Sequence, residues 1–126
     1  MIGTVDDWNE FAKECNRDAS YSINKNVYLR NDIDFQGKAF TPIATFQGTF
    51  DGSRHALKNI RVTGEKDYPS LFHTVTKNGI IKNLDVLDVD IDCQDEDFVG
   101  VISKNYGTVY GLKVTGSILG QNQVGL

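Results

Sequence analysis

Basic charge is scarce in this chain: 13 Lys and Arg stand against 17 Asp and Glu, for a net charge of −4 and an isoelectric point near 5.0. A surface that grips phosphates needs clustered cations, so the balance argues against nucleic acid and against anionic membrane surfaces as partners. Long apolar runs are missing as well. No stretch approaches the roughly 18 consecutive apolar residues of a membrane-spanning helix, so no membrane span is expected. Met1 to Asp7 has neither a positive leading segment nor an apolar centre, and does not read as a secretion signal. Cysteine is limited to Cys15 and Cys93, which lie far apart without a metal-type spacing and read as two buried free thiols, with a disulfide between them as the lesser alternative. The zinc motif His-Glu-x-x-His is absent. His55 and His73 have no nucleophile or metal partner beside them in sequence, so turn and surface roles are assigned to both. Proline occurs twice and glycine 12 times, which points to many turns.

What is present suits one folded unit. The 126 residues are 40% hydrophobic and 24% charged, enough for a single core and too few for two. The segment from Asp6 to Asn16 carries Trp8, Phe11, Ala12 and Cys15 on one helical face, and Asp6 or Asp7 is expected to cap it, with Glu10 completing a capping box. From Asn26 to Phe35 apolar and polar residues alternate, placing Val27, Leu29, Ile33 and Phe35 on one side of a bent strand pair.

The remainder repeats. Leu57, Ile60 and Val62 match Ile81, Leu84 and Val86, and again Val109, Leu112 and Val114, with offsets of 24 residues from Leu57 to Ile81 and 28 from Ile81 to Val109. A period of this size belongs to stacked-repeat architectures. These nine residues are the expected interior columns. Loops are expected at Gln94 to Asp97 and at Gly120 to Gln123. Asn59 and Asn83, at matching positions, are expected to form a bend-stabilising ladder. The resulting architecture is all-β: a right-handed parallel β-helix with a short capping α-helix. It forms one domain over 1–126, with the helical cap and lead-in at 1–20 and the coils at 21–126. Trp8, Phe11 and Cys15 cover the first coil. Val124, Gly125 and Leu126 stop part-way through a unit, so the chain reads as a piece of a longer repeat protein whose open C-terminal edge can self-associate.

The ordered pieces Asn31-Asp32-Ile33-Asp34, Thr41-Pro42-Ile43 and Gly48-Thr49-Phe50-Asp51-Gly52, followed by the small-apolar units at Ser70-Leu71-Phe72-His73, Gly100-Val101-Ile102-Ser103 and Gly125-Leu126, resemble GLUG-motif repeat proteins. That family includes repetitive bacterial surface and secreted proteins and metallo immunoglobulin A peptidases. The resemblance implies a non-catalytic stalk or binding module at the cell surface or outside the cell, with a protein or polysaccharide ligand, and brings no catalytic residues.

Three features of the sequence bear on chemistry. Asp88, Asp90 and Asp92 alternate along a strand and read as a solvated outer face, while the loop Asp95-Glu96-Asp97 is the better place for a hard cation such as calcium. Otherwise no cofactor is called for. Asp32 and Asp34 with Lys58 or Arg61 are the pairing a carbohydrate-active β-helix enzyme would use, against which stands their role in a bend. Tyr21, Tyr28, Tyr68, Tyr106 and Tyr110 offer a sugar-stacking surface or, more plainly, the rim of a core.

Overall fold

The computed structural model describes residues 1–63, 70–97 and 100–122, and the side chains of these except at 63, 93–97 and 120–122. Tyr68, Val124, Gly125 and Leu126 therefore lie outside the described residues. The described residues are mostly β, with one helix among them, α1 (Val5–Arg17). Ten strands follow: β1 (Asn26–Tyr28), β2 (Ile33–Asp34), β3 (Ile43–Phe46), β4 (Thr49–Asp51), β5 (Ala56–Lys58), β6 (Arg61–Thr63), β7 (Ser70–Val75), β8 (Ile80–Asp97), β9 (Gly100–Asn105) and β10 (Thr108–Asn122). Every strand pairing among them is parallel.

The long strand β8 organises the larger sheet. Along one edge it pairs in succession with β4, β5 and β6, and along the other with β10. β1 extends this sheet beyond β4, and β2 extends it beyond β5. A second sheet holds β3, β7 and β9. The apolar positions line up across the strands: Val27, Phe50, Ile81 and Val109 form one row, Ile33, Leu57, Val86 and Val114 a second, and Val62, Ile91 and Ile118 a third. Leu84 pairs with Leu112. Alternation along each short strand turns these residues inward together. All are buried except Val109, Leu112, Val114 and Ile118 on β10, which are partly covered.

The register corrects the expected columns. Leu57 stands beside Val86, not Ile81, and Val62 beside Ile91, not Val86, whereas the matches of Ile81 with Val109, Leu84 with Leu112 and Val86 with Val114 hold. The misleading cue was the shared Lys-Asn-apolar run, Lys58-Asn59-Ile60 and Lys82-Asn83-Leu84, which occupies two different bends. Both asparagines are left-handed, but Asn59 (φ 57°) lies beside Asp88 (φ 56°), and Asn83 (φ 53°) lies between Arg54 (φ 63°) and Gly111 (φ 66°). Six of the positive-φ residues thus fall in pairs five apart, Arg54 with Asn59, Asn83 with Asp88 and Gly111 with Gly116, while Asn24, Gly37 and Ser53 stand outside these pairs. Backbone direction changes at these pairs, so they fix the register more firmly than apolar letters that recur every second residue.

The expected loop at Gln94 to Asp97 is also corrected, since β8 continues through Asp97, and β10 likewise runs to Asn122 opposite it. Ladder bonds to a neighbouring strand override the weak strand preference of acidic residues.

The helix is capped two or three residues earlier than Asp6 or Asp7 would place it. Thr4 is the N-cap: its Oγ1 accepts from Asp7 N at 3.0 Å, and Asp7 Oδ2 accepts from Gly3 N at 3.0 Å. The short hydroxyl reaches the third amide while Asp7 returns the bond, which leaves Asp6 and Glu10 no capping role. Trp8, Ala12 and Cys15 are buried, and Phe11 is half-buried with its ring 6.3 Å from Phe46. Two asparagines clamp the helix to the chain around β3. Asn9 donates to Ala39 O (3.0 Å) and accepts from Thr41 N (2.9 Å), while Asn16 donates to Pro42 O (2.9 Å) and accepts from Ala44 N (2.8 Å). β3 is an edge strand, and these side chains occupy backbone groups that would otherwise be open to another strand.

Trp8 lies at the centre of the core, 5.7 Å from both Phe50 and Phe72, 5.3 Å from Phe40 and 6.4 Å from Phe35. Burial pushes the Cys15 thiol up to about 11, so the free thiol stays protonated and unreactive at neutral pH. The side chain of Cys93 lies outside those described.

Candidate functional site

Asp32 and Asp34, expected as a paired acid and base, are brought near their neighbours in a structural arrangement. Asp32 Oδ1 accepts from Ala56 N at 2.9 Å, Lys58 Nζ stands 3.3 Å from its Oδ2, and His55 Nδ1 lies 3.4 Å from Oδ1. The Ala56 amide, with Lys58 and His55, holds the carboxyl below its ordinary range. Asp34 is lowered by Asn59, which donates to its Oδ1 at 2.9 Å, and by Gln36 N at the same distance. Arg61 does not join them, but lies 3.6 Å from Asp90. A glycosidase acid needs a raised pKa, whereas both carboxyls are held ionised to tie β2 to β5.

Asp7, lowered chiefly by Gly3 N, Asp32 and Asp34 all bind protons less readily folded than unfolded. Their stabilisation is fully present above the unfolded value near 4 and is lost as pH falls through the depressed folded values. The urea midpoint is expected to drop as pH falls below about 4, and to drop less in an Asp32→Asn, Asp34→Asn variant. An equal drop in that variant would remove these two carboxylates as its cause.

Of the acidic strand, Asp90 faces outward toward Arg61, and Asp92 is partly exposed. Asp88 sits at a left-handed bend, its amide donating to Thr115 Oγ1 at 2.9 Å, and so leaves the expected row. Asp95, Glu96 and Asp97 belong to β8 instead of a loop, and their side chains lie outside those described. Among the described residues no three His, Cys, Asp or Glu converge as a metal site. His73 is half-buried, and burial, then Lys104, lowers its pKa.

The outer face of the larger sheet is organised differently. Opposite the inward row of Val27, Phe50, Ile81 and Val109, the next residues Tyr28, Asp51, Lys82 and Tyr110 are in register on four successive strands. Asn26, Thr49, Ile80 and Thr108 form a parallel row. Tyr28 is 45% and Tyr110 51% exposed. A groove of about 330 Å³ opens on this face, lined by Tyr28, Asp51, Ser53 and Lys82 with Asn26 and Thr49. Asp51 Oδ1 accepts from Ser53 N at 2.8 Å. Among the described residues Lys82 makes no ion pair within 4.0 Å. Another groove, of about 380 Å³, lies beside α1 and is lined by Asp7, Glu10, Phe11, Glu14, Tyr21 and Lys25, with the Lys25 ammonium 4.5 Å above the Tyr21 ring.

The tyrosines are visible in the sequence, but their alignment on one row is not. The available signal was the unit glycine, any residue, apolar, any residue, present at Gly48 to Asp51, Gly79 to Lys82 and Gly107 to Tyr110.

These features define a mostly β protein of parallel strands, closed at one side by a helix and carrying an ordered polar row on its outer face. The chain is similar to Halomucin of Haloquadratum walsbyi, 26% identical over 118 residues that take in 86% of this chain and 1% of Halomucin. It thus spans about one hundredth of that relative's length. No family model matches the sequence, and no solved structure matches it significantly. No helix among the described residues is long and apolar enough to cross a membrane.

Proposed function

We infer that this chain is a right-handed parallel β-helix unit of the GLUG-like kind, serving as a non-catalytic structural and ligand-presenting module of a longer surface or secreted protein. The observation that carries the reading is the four-strand stacking of β1, β4, β8 and β10, with apolar residues in register inside and polar residues in register outside. Such stacking produces a stiff spacer with a regular outer surface. Similarity to Halomucin, a name built on mucin, fits an extracellular setting within a long chain. The enzyme reading is disfavoured by the depressed carboxyls of Asp32 and Asp34. Prolonged incubation with polysaccharides between pH 5 and 8 is expected to release no new reducing ends. Sustained release that saturates with substrate would overturn the non-catalytic assignment.

A second reading, assembly through an open edge, draws on Val109, Leu112, Val114 and Ile118 of β10, which are less covered than their partners on β8. Light scattering at several concentrations distinguishes it, because an edge-paired dimer gains mass with concentration and a monomeric spacer does not.

A further inference from the structure

We propose that the outward row Tyr28, Asp51, Lys82 and Tyr110 binds an extended, uncharged polysaccharide laid across the strands. This inference deepens the ligand-presenting reading above and rests on it.

The geometry comes from the strand ladder. Neighbouring strands lie about 4.8 Å apart, so Tyr28 and Tyr110, three spacings apart in the pairing order, stand about 14 Å from one another. An extended β-1,4-linked pyranose chain advances by nearly one strand spacing per sugar. A glycan crossing this face would therefore place successive sugars over successive strands, with the first and fourth over the two tyrosines. Each ring offers a flat apolar surface for the C–H faces of a sugar and a hydroxyl for its edge.

The two central sugars would meet Asp51 and Lys82, an acceptor and a donor set. Asp51 Oδ1 is already held by Ser53 N, which fixes the carboxylate and leaves its second oxygen to accept from a sugar hydroxyl. Lys82 lies across the groove without an ion pair among the described residues, so its three N–H groups are available to ring and hydroxyl oxygens. Asn26, Thr49 and Thr108 in the adjoining row add amide and hydroxyl groups. A few placed polar groups between apolar faces are what orient a sugar ligand. The charges select its class: Asp51 and Lys82 sum to zero, and the chain as a whole carries −4, so a polyanionic glycan gains nothing from the row and is repelled at longer range.

The test uses soluble β-1,4-linked glucose oligomers of two to six units, titrated into the isotopically labelled full chain and followed by amide NMR shifts. Shifts are expected at Tyr28, Asp51, Lys82 and Tyr110, with affinity rising up to the tetramer and then levelling. Replacing both tyrosines, Tyr28→Ala and Tyr110→Ala, is expected to weaken the tetramer about tenfold or more. Tyr106→Ala, at a site 66% exposed and outside the row, is expected to leave binding unchanged. Both tyrosines of the row are about half exposed and outside the core, so the double variant is expected to keep its fold, which its circular dichroism checks. Absence of shifts with every oligomer, equal affinity for dimer and hexamer, or shifts confined to another face each overturns the proposal and leaves the spacer role standing. Cleavage of the oligomers would instead overturn the non-catalytic reading.

Discussion

Trp8→Ala is expected to destabilise the fold by roughly 3 to 5 kcal/mol, the usual range for removing a large aromatic from a packed core. Thermal unfolding should then fall by about 10 °C or more. The reason is position as much as size. Trp8 is fully buried and touches rings from separate parts of the chain, Phe35, Phe40, Phe50 and Phe72, while Nε1 donates to Thr41 O at 2.9 Å. Alanine leaves a cavity where α1 meets the strands and removes the donor held by a part-buried carbonyl. Trp8→Phe separates the two effects: it retains ring contacts and loses the hydrogen bond, so its cost should be nearer 1 to 2 kcal/mol. Denaturant unfolding with an unchanged slope measures both. If Trp8→Ala costs less than about 1 kcal/mol, α1 is not a structural part of the core.

Gly52→Ala should be the other severe change, costing about 3 kcal/mol or more although only one methyl group is added. A β-carbon at Gly52 would lie 2.4 Å from Asn83 O, 2.5 Å from Leu84 Cα and 2.9 Å from Asn83 C. All three are backbone atoms on β8, so no side-chain rotation relieves the contact. Gly52 N also donates to Lys82 O at 2.8 Å, which ties the glycine to the strand it would strike. The relief available is to separate the chain after β4 from β8, breaking the pairing that buries Phe50 and Leu57. Gly37→Ala is the control: a β-carbon there meets nothing within 4 Å, and its left-handed φ of 69° leaves only a local backbone cost of about 1 to 2 kcal/mol. Gly52 has no left-handed φ of its own, so losses no larger than that of Gly37→Ala would show that the approach of β8 to Gly52 is relieved at little cost and would remove close contact as the requirement there.

Much of the local structure was legible from chemistry that acts over a few residues. The helical spacing of Trp8, Ala12 and Cys15 gave α1 and its buried face, and alternation from Val27 to Phe35 gave a bent strand pair with the apolar side inward. The last register was legible as well, because Ile81, Leu84 and Val86 really do stand beside Val109, Leu112 and Val114. The Leu57 register was not, since an apolar residue at every second position fits several alignments equally well. Its resolution rests on left-handed backbone at Arg54, Asn59, Asn83 and Asp88, a property of φ that the letters announce only weakly and that arginine hides altogether. The helix N-cap followed the same lesson at smaller scale: Asp6 and Asp7 were both eligible, and the reach of the Thr4 hydroxyl to Asp7 N placed the cap on neither.

The sequence alone determined that the chain is acidic, mostly β and led by an amphipathic helix, because charge, alternation and helical spacing are sums over neighbouring residues. Tertiary structure alone decided that Asp32 and Asp34 serve as ties between strands, that Asn9 and Asn16 close an edge, and that Tyr28 and Tyr110 share one outward row. Each of those depends on which strand or helix lies beside which, and that choice is made by backbone bends and close contacts between residues distant in sequence, where no local pattern carries the information.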